Sequence, residues 1–174
     1  MSPSELSPVP LTVKGGLQFP DGQIYVGGTN YQSSGQSGFW FVVVDQATLK
    51  VAANVFSTDT NSIPGEVQPF VGQTGNMLIF VTVTTQLNVV PQGALYDMLN
   101  GAGAGSVLER AEQINETVGT GSFGNYSYNL VATLGDDGLP GFEELDFWDP
   151  AVTTLSLLPV TVDGQTTYTP VTLH

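Results

Sequence analysis

Apolar positions gather in two uninterrupted runs, Phe39–Val44 (FWFVVV) and Met77–Thr84 (MLIFVTVT). Phe39–Val44 is aromatic and β-branched on both faces, which predicts a strand buried on both sides. Gly38–Thr60 as a whole reads as a hairpin. Phe39–Val44 goes out, Asp45-Gln46-Ala47-Thr48 turns, and Lys50–Phe56 returns with a looser pattern. Met77–Thr84 is the natural neighbour in the same sheet.

The weaker signals fall around this centre. Residues 1–20 carry Pro3, Pro8, Pro10 and Pro20 and predict an extended arm, with Leu11–Val13 available for pairing. Gln23–Val26 is a short strand ended by Gly27-Gly28, and Asn30–Gly38 is a polar loop. Asn61–Gly72 opens a short helix, with Ser62 as N-cap and Pro69 limiting its length. Pro91–Asn100 is a helix stopped by Gly101. Ser106–Thr117 is the clearest helix, with Val107, Leu108, Ala111 and Ile114 as its apolar stripe. Tyr126–Leu134 and Val152–Leu158 are strands. Val160–Val162, Asp163-Gly164 and Thr166–Thr169 form the best hairpin signal in the chain. The fold class predicted is mainly β (α+β), a β-sandwich-like domain with two or three short flanking helices. It divides into an arm (1–20), a core domain (21–146) and a C-terminal strand and hairpin extension (147–174).

Composition narrows the partners. Sixteen acids stand against Lys14, Lys50 and Arg110, a formal charge of −13. Nucleic acid and anionic membrane are poor partners for such a chain. Charged residues are only 11%, against about 25% in an average domain, so much of the surface is Thr, Ser, Asn and Gln. That surface character suits an extracellular or virion setting. No apolar stretch reaches the roughly 18 residues of a membrane span, and the first residues lack the layout of an export signal. A virion protein released by lysis reconciles these traits, as does a chain whose signal has been removed. With no cysteine, disulfides, thiolate metal sites and thiol nucleophiles are excluded.

Several residues of the middle of the chain carry a family pattern. They are Gly27-Gly28, Gly38–Asp45, Phe56-Ser57-Thr58, Leu78–Val83, Ala94–Leu99 and Tyr128–Gly135. Together they resemble the interleukin-like EMT inducer domain, also called the GG domain, over roughly residues 21–146. The resemblance implies a compact β-sandwich-like fold flanked by helices, without catalysis. It also implies a signalling or glycan-binding role. Ser57 stands where the family usually has Asp, Thr84-Thr85-Gln86 replaces acidic residues, and the family's disulfides are missing. No binding residue carries over.

Three chemistries remain to be weighed. The only histidine is His174, the last residue, so Ser-His and Cys-His schemes are out of reach. A carboxylate pair within Asp136–Asp149 would be the one route to glycan hydrolysis, and a solvated acidic loop explains the same residues. Asp136, Asp137, Glu143, Glu144 and Asp146 supply oxygens for calcium, but without EF-hand spacing. Tyr31, Phe123, Tyr126 and Trp148 are aromatics able to stack on a sugar or to plug the edge of the core, and Trp40 is packing. The expected function is a non-catalytic structural or recognition subunit on an outer surface, a virion decoration or tail-associated protein. It would assemble with copies of itself or neighbouring subunits through its terminal segments. A stand-alone glycan-binding module is the second expectation and a carboxylate-dependent hydrolase the third. Specificity is expected in the loops Tyr31–Ser37 and Asp136–Asp149.

Overall fold

The computed structural model of the chain describes residues 6–17, 22–33, 35–118, 124–135 and 139–172. They form three layers: a five-stranded sheet, a central sheet, and two helices. The outer sheet has the order β11-β10-β1-β2-β3. Its strands are β1 (Val9–Lys14), β2 (Gln23–Val26), β3 (Thr29–Gln32), β10 (Val152–Val162) and β11 (Gln165–Thr172). The central sheet runs β5-β4-β6-β8, with β7 and β9 also paired to β8. Its strands are β4 (Gly38–Asp45), β5 (Val51–Ser57), β6 (Asn76–Val83), β7 (Thr85–Gln86), β8 (Asn125–Thr133) and β9 (Phe142–Asp146). The helices are α1 (Gly93–Gly101) and α2 (Ser106–Val118). Every strand pair is antiparallel, so the β-sandwich-like reading holds.

Strand alternation assigns each residue of the central sheet to one of two cores. Phe39, Phe41 and Val43 of β4 face the helices, with Leu78 and Phe80 of β6 and Tyr128 and Leu130 of β8. Leu95, Met98, Leu99 and Leu108 close that core from above. Trp40, Val42 and Val44 face the other way, with Ile79, Val81 and Val131, against Leu11, Val13, Ile24, Leu155 and Leu157. Phe80 is the hub of the helix-side core. Its ring centre lies 5.0 Å from Phe41, 5.5 Å from Phe39 and 6.0 Å from Tyr128. Trp40 is packing, as expected, and its indole Nε1–H donates to Asn54 Oδ1 at 2.8 Å.

Two sequence expectations give way here. The segment read as an N-terminal arm contains β1, an interior strand flanked by β10 and β2, with Leu11 and Val13 fully buried. Its prolines misled. Pro10 points outward on β1, opposite Ser156, while Leu11 and Val13 supply the inward alternation. The C-terminal residues are likewise no appendage, because Leu155 and Leu157 of β10 complete the inter-sheet core. Only the distal ribbon beyond Leu157 passes the end of β1, which pairs no further than Val9↔Leu157. Asp163 and Gly164 have φ of 50° and 79°, the left-handed pair that a two-residue hairpin turn demands.

Smaller differences follow similar logic. Thr29–Gln32, which overlaps the expected loop Asn30–Gly38, pairs with β2 as a short edge strand. The helix expected in Asn61–Gly72 is a single 3₁₀ turn, Gln68–Phe70, with Pro69 inside it. The expected helix stop, Gly101, is the last residue of α1. Phe142–Asp146 is a strand whose acids hide its alternation in the sequence.

The two sheets are joined by a polar seam. Asn129 of β8 turns its Nδ2 toward β1 and the start of β10, donating to Val13 O (3.1 Å) and Ala151 O (2.7 Å). Ser127 Oγ accepts from Ala151 N–H at 2.8 Å. Gly15 lies directly over both side chains, and a Cβ there would stand 2.1 Å from Ser127 Oγ. Gly15→Ala is therefore expected to destabilise by about 1–3 kcal/mol, the usual cost of overpacking. In a Ser127→Ala background the same substitution should cost less. Urea unfolding of the four proteins of this cycle measures the coupling, and strict additivity would contradict the seam.

Candidate functional site

Antiparallel order brings the start of β4, the ends of β5 and β6 and the start of β8 to one end of the central sheet. A cleft of about 490 Å³ opens there, within the size range of small-molecule sites. Ser37, Gly38, Thr58, Thr84, Thr85, Gln86, Val89 and Asn125 line it. None of these described side chains is ionisable.

Some of its polar groups are spent on the scaffold. Thr85 Oγ1 is 2.9 Å from Gly38 O and 3.0 Å from Val83 O, and Asn125 Nδ2 donates to Leu17 O at 2.8 Å. Behind the cleft, the Tyr126 hydroxyl donates to Val89 O at 2.9 Å and fixes that wall. Asp59, one residue beyond Thr58, accepts from Asn61 N–H at 2.8 Å. That bond first, then the Ser62 hydroxyl, holds its carboxyl below the usual value.

The cleft's rim is made by a break in the ladder. Val81 pairs with Asn129, yet Thr85 pairs with Tyr126, so three residues (Thr82–Thr84) oppose two on β8. This is a β-bulge. Thr84 takes the extra residue's conformation, with φ of 46°. Gly16 satisfies the displaced backbone, donating to Thr82 O (3.1 Å) and accepting from Thr84 N–H (2.6 Å). Thr82 Oγ1 accepts from Tyr128 N–H at 2.8 Å, replacing a ladder bond.

The residues singled out from sequence lie elsewhere. Asp136, Asp137 and Phe123 are outside the described residues. Glu143 and Glu144 are neighbours on β9 and point to opposite faces of the sheet. Glu143 caps α2. Its Oε2 accepts from Gly105 N–H (2.9 Å), and its Oε1 from Leu108 N–H (3.1 Å) and the Tyr128 hydroxyl (2.7 Å). A carboxylate committed to three donors at a helix N-terminus is doing structural work. Asp146 Oδ1 accepts from Trp148 and Asp149 N–H, which keeps its carboxyl below the usual value. Among the described residues no three His, Cys, Asp or Glu side chains are grouped as a metal site. Of the aromatics, Tyr126 is fully buried, Tyr31 faces the inter-sheet core from β3, and Trp148 is 88% exposed in the turn after β9. They do not converge.

No protein-family model matches the chain, and no curated protein matches it either.

The buried tyrosines make the fold sensitive to alkali. Burial pushes the Tyr126 hydroxyl far above its ordinary value. Burial first, then the Glu143 carboxylate, does the same for Tyr128. An unfolded chain ionises both near pH 10, while the folded chain keeps them neutral. Their stabilising contribution is therefore complete below about pH 10 and is lost as pH rises beyond it. Urea unfolding at about pH 9 and about pH 11 should show a marked drop, with a shallower drop in Tyr126→Phe. An equal slope in the variant would contradict this.

Proposed function

We propose that this chain is a non-catalytic structural or recognition subunit of an outer surface, a virion protein of the decoration or tail-associated kind. The observation that carries the reading is the charge distribution of the five-stranded sheet. None of the sixteen acids falls in β1, β2, β3, β10 or β11. The outward face of this sheet displays Tyr25, Val152, Leu158, Val160 and Val162, with Lys14 its one charged side chain. Val162 is 64% exposed.

A chain of charge −13 repels its own copies everywhere except across such a face. The occupant is therefore a second copy of the chain, meeting through the β10–β11 ribbon and the sheet behind it. Contact between two of these faces buries valine and leucine, and the one carboxylate of the ribbon, Asp163, sits in its turn beyond Val162. A cationic partner would favour the acidic surfaces instead.

Edge-to-edge strand addition is not the mode of contact. Along the free edge of β11, Tyr168 N–H donates to Gln46 O (2.8 Å) and Tyr168 O accepts from Gln46 Nε2 (3.1 Å). Two residues on, at the next outward position, Pro170 has no N–H to offer. Assembly through the ribbon's face, rather than through extended arms, is what this arrangement favours. The likeness to the interleukin-like EMT inducer domain supports recognition over catalysis.

Sedimentation equilibrium tests the reading. Association should strengthen as salt rises from about 50 mM to about 500 mM, because screening relieves the residual repulsion. Val160→Asp with Val162→Asp should shift the protein to monomer without unfolding it, since both side chains are exposed. A protein that stays monomeric at high concentration and high salt would overturn the proposal.

A further inference from the structure

We propose that the outer edge of β5 pairs antiparallel with β5 of a second copy, joining two central sheets into one. This contact lies on a different sheet from the ribbon face of the assembly reading, and it stands or falls separately.

The described strands leave sheet edges at β3, β11, β9 and β5. The first three are guarded in the ways that keep strands from adding to one another. β3 is only 4 residues long. β11 is closed by Gln46 and interrupted by Pro170. β9 carries Glu143, Glu144 and Asp146, and Glu143 ties it to the start of α2. β5 has none of these devices. Val51–Ser57 (VAANVFS) contains no proline and no charge, and it pairs on one side only, with β4. Its middle is held in place, because Asn54 Oδ1 accepts from the Trp40 indole N–H. Register identifies the backbone groups on offer. Asp45 N–H donates to Lys50 O at 2.9 Å, and β4 runs against β6 without a break. By alternation Val43, Phe41 and Phe39 also direct their backbone groups at β5, where Ala53, Val55 and Ser57 receive them. Asn54 and Phe56 lie between these and turn N–H and C=O to the open side. No described residue takes up those groups.

The charges at the two ends of β5 select the occupant. Lys50 precedes the strand and Asp59 follows it, and both are exposed. Lys50 is one of three cations in the chain and is joined to no described carboxylate. A two-fold axis at Val55 sets Asn54 of each copy against Phe56 of the other, so that every outward N–H and C=O of this pair is used. The same axis brings the Lys50 end of each strand to the Asp59 end of its partner, twice. Parallel pairing would set Lys50 beside Lys50 and Asp59 beside Asp59. The complementarity therefore belongs to an antiparallel pair of β5 strands, and the strand itself adds no carboxylate to the contact between two acidic copies.

Amide hydrogen exchange of the intact protein, followed by ¹H–¹⁵N NMR, reads this edge residue by residue. Between about 20 µM and about 1 mM protein, protection of Asn54 and Phe56 should rise at least about fivefold. Ala53 and Val55, already bonded to β4, should change little. The rise should persist in Val160→Asp with Val162→Asp, which removes the ribbon contact and so separates this proposal from the assembly reading. Sedimentation equilibrium in that same background, at about 50 mM salt, tests the strand ends. Lys50→Glu and Asp59→Lys should each weaken association at least about threefold, Asp59→Lys although it makes the chain less acidic. An equimolar mixture of the two should associate as the unaltered ends do, because the two altered ends then meet with opposite charge. If Asp59→Lys does not fold, the exchange measurement carries the test. The proposal is overturned if Asn54 and Phe56 show no concentration-dependent protection, or if the mixture associates no better than its components.

Discussion

The fold depends on one constraint, that β4 and β6 have no solvent face. From Phe39 to Val44 and from Met77 to Val83 every residue is buried. A sheet with this composition needs a cover on each side, and the chain builds two different ones. One side receives a second sheet, whose alternating residues interlock with Trp40, Val42, Ile79 and Val81. The other receives α1 and α2, whose apolar stripes close over Phe39, Phe41 and Phe80. Aromatic side chains fill much of the helix side, where Phe39, Phe41, Phe80, Tyr126 and Tyr128 are buried together. Each such ring buries on the order of 150–250 Å², so a few of them account for much of the apolar area removed from water.

The acids are placed so as not to disturb either core. Asp97, Glu109, Glu112 and Glu116 lie on the helices, and Glu143, Glu144, Asp146 and Asp149 on β9 and the turn after it. Where a carboxylate does come close to the core, as Glu143 does, it arrives opposite a helix N-terminus and a tyrosine hydroxyl. The five-stranded sheet is left without acids. This asymmetry gives the molecule two faces of different character. The helix and β9 side is acidic and repulsive, and the strands of the five-stranded sheet carry no acid and expose a partly apolar outward face.

The sequence was most legible where burial was most complete. The β4 run, its turn at Asp45 and its pairing with β6 follow from apolar continuity alone. Asp45 Oδ1 accepts from Ala47 N–H and Thr48 N–H, as a turn residue should. The helix at Ser106–Val118 followed from its stripe of Val107, Leu108, Ala111 and Ile114. Legibility failed where a strand is half-buried and proline-marked, as at Val9–Lys14, or acid-marked, as at Phe142–Asp146. There the outward residues carry the conspicuous chemistry and the inward ones do the folding. The cleft was not legible at all. Ser37, Thr58, Thr84, Gln86 and Asn125 are ordinary polar residues scattered along the chain, and only strand register brings them to one place. The residues that did stand out, the acids and surface aromatics, stood out by chemistry and are dispersed by the same register.

The seam and the cleft are mechanically one feature. Gly15 can cross over Ser127 and Asn129 only because it has no side chain. That crossing delivers Gly16 to the end of β6, where its backbone takes up the N–H of Thr84 and the C=O of Thr82. Those two bonds satisfy the bulge, and the bulge sets the direction of the Thr84 side chain. The same crossing commits Asn129 Nδ2 to Val13 O and Ala151 O while its Oδ1 has no partner among the described residues. An orphaned buried oxygen is unfavourable, and an apolar residue at that position would avoid it. It would also lose the side-chain bonds from β8 to Val13 of β1 and to Ala151 before β10. The polar seam therefore secures register at the expense of some stability, and what that register positions is the strained threonine at the rim of the cleft.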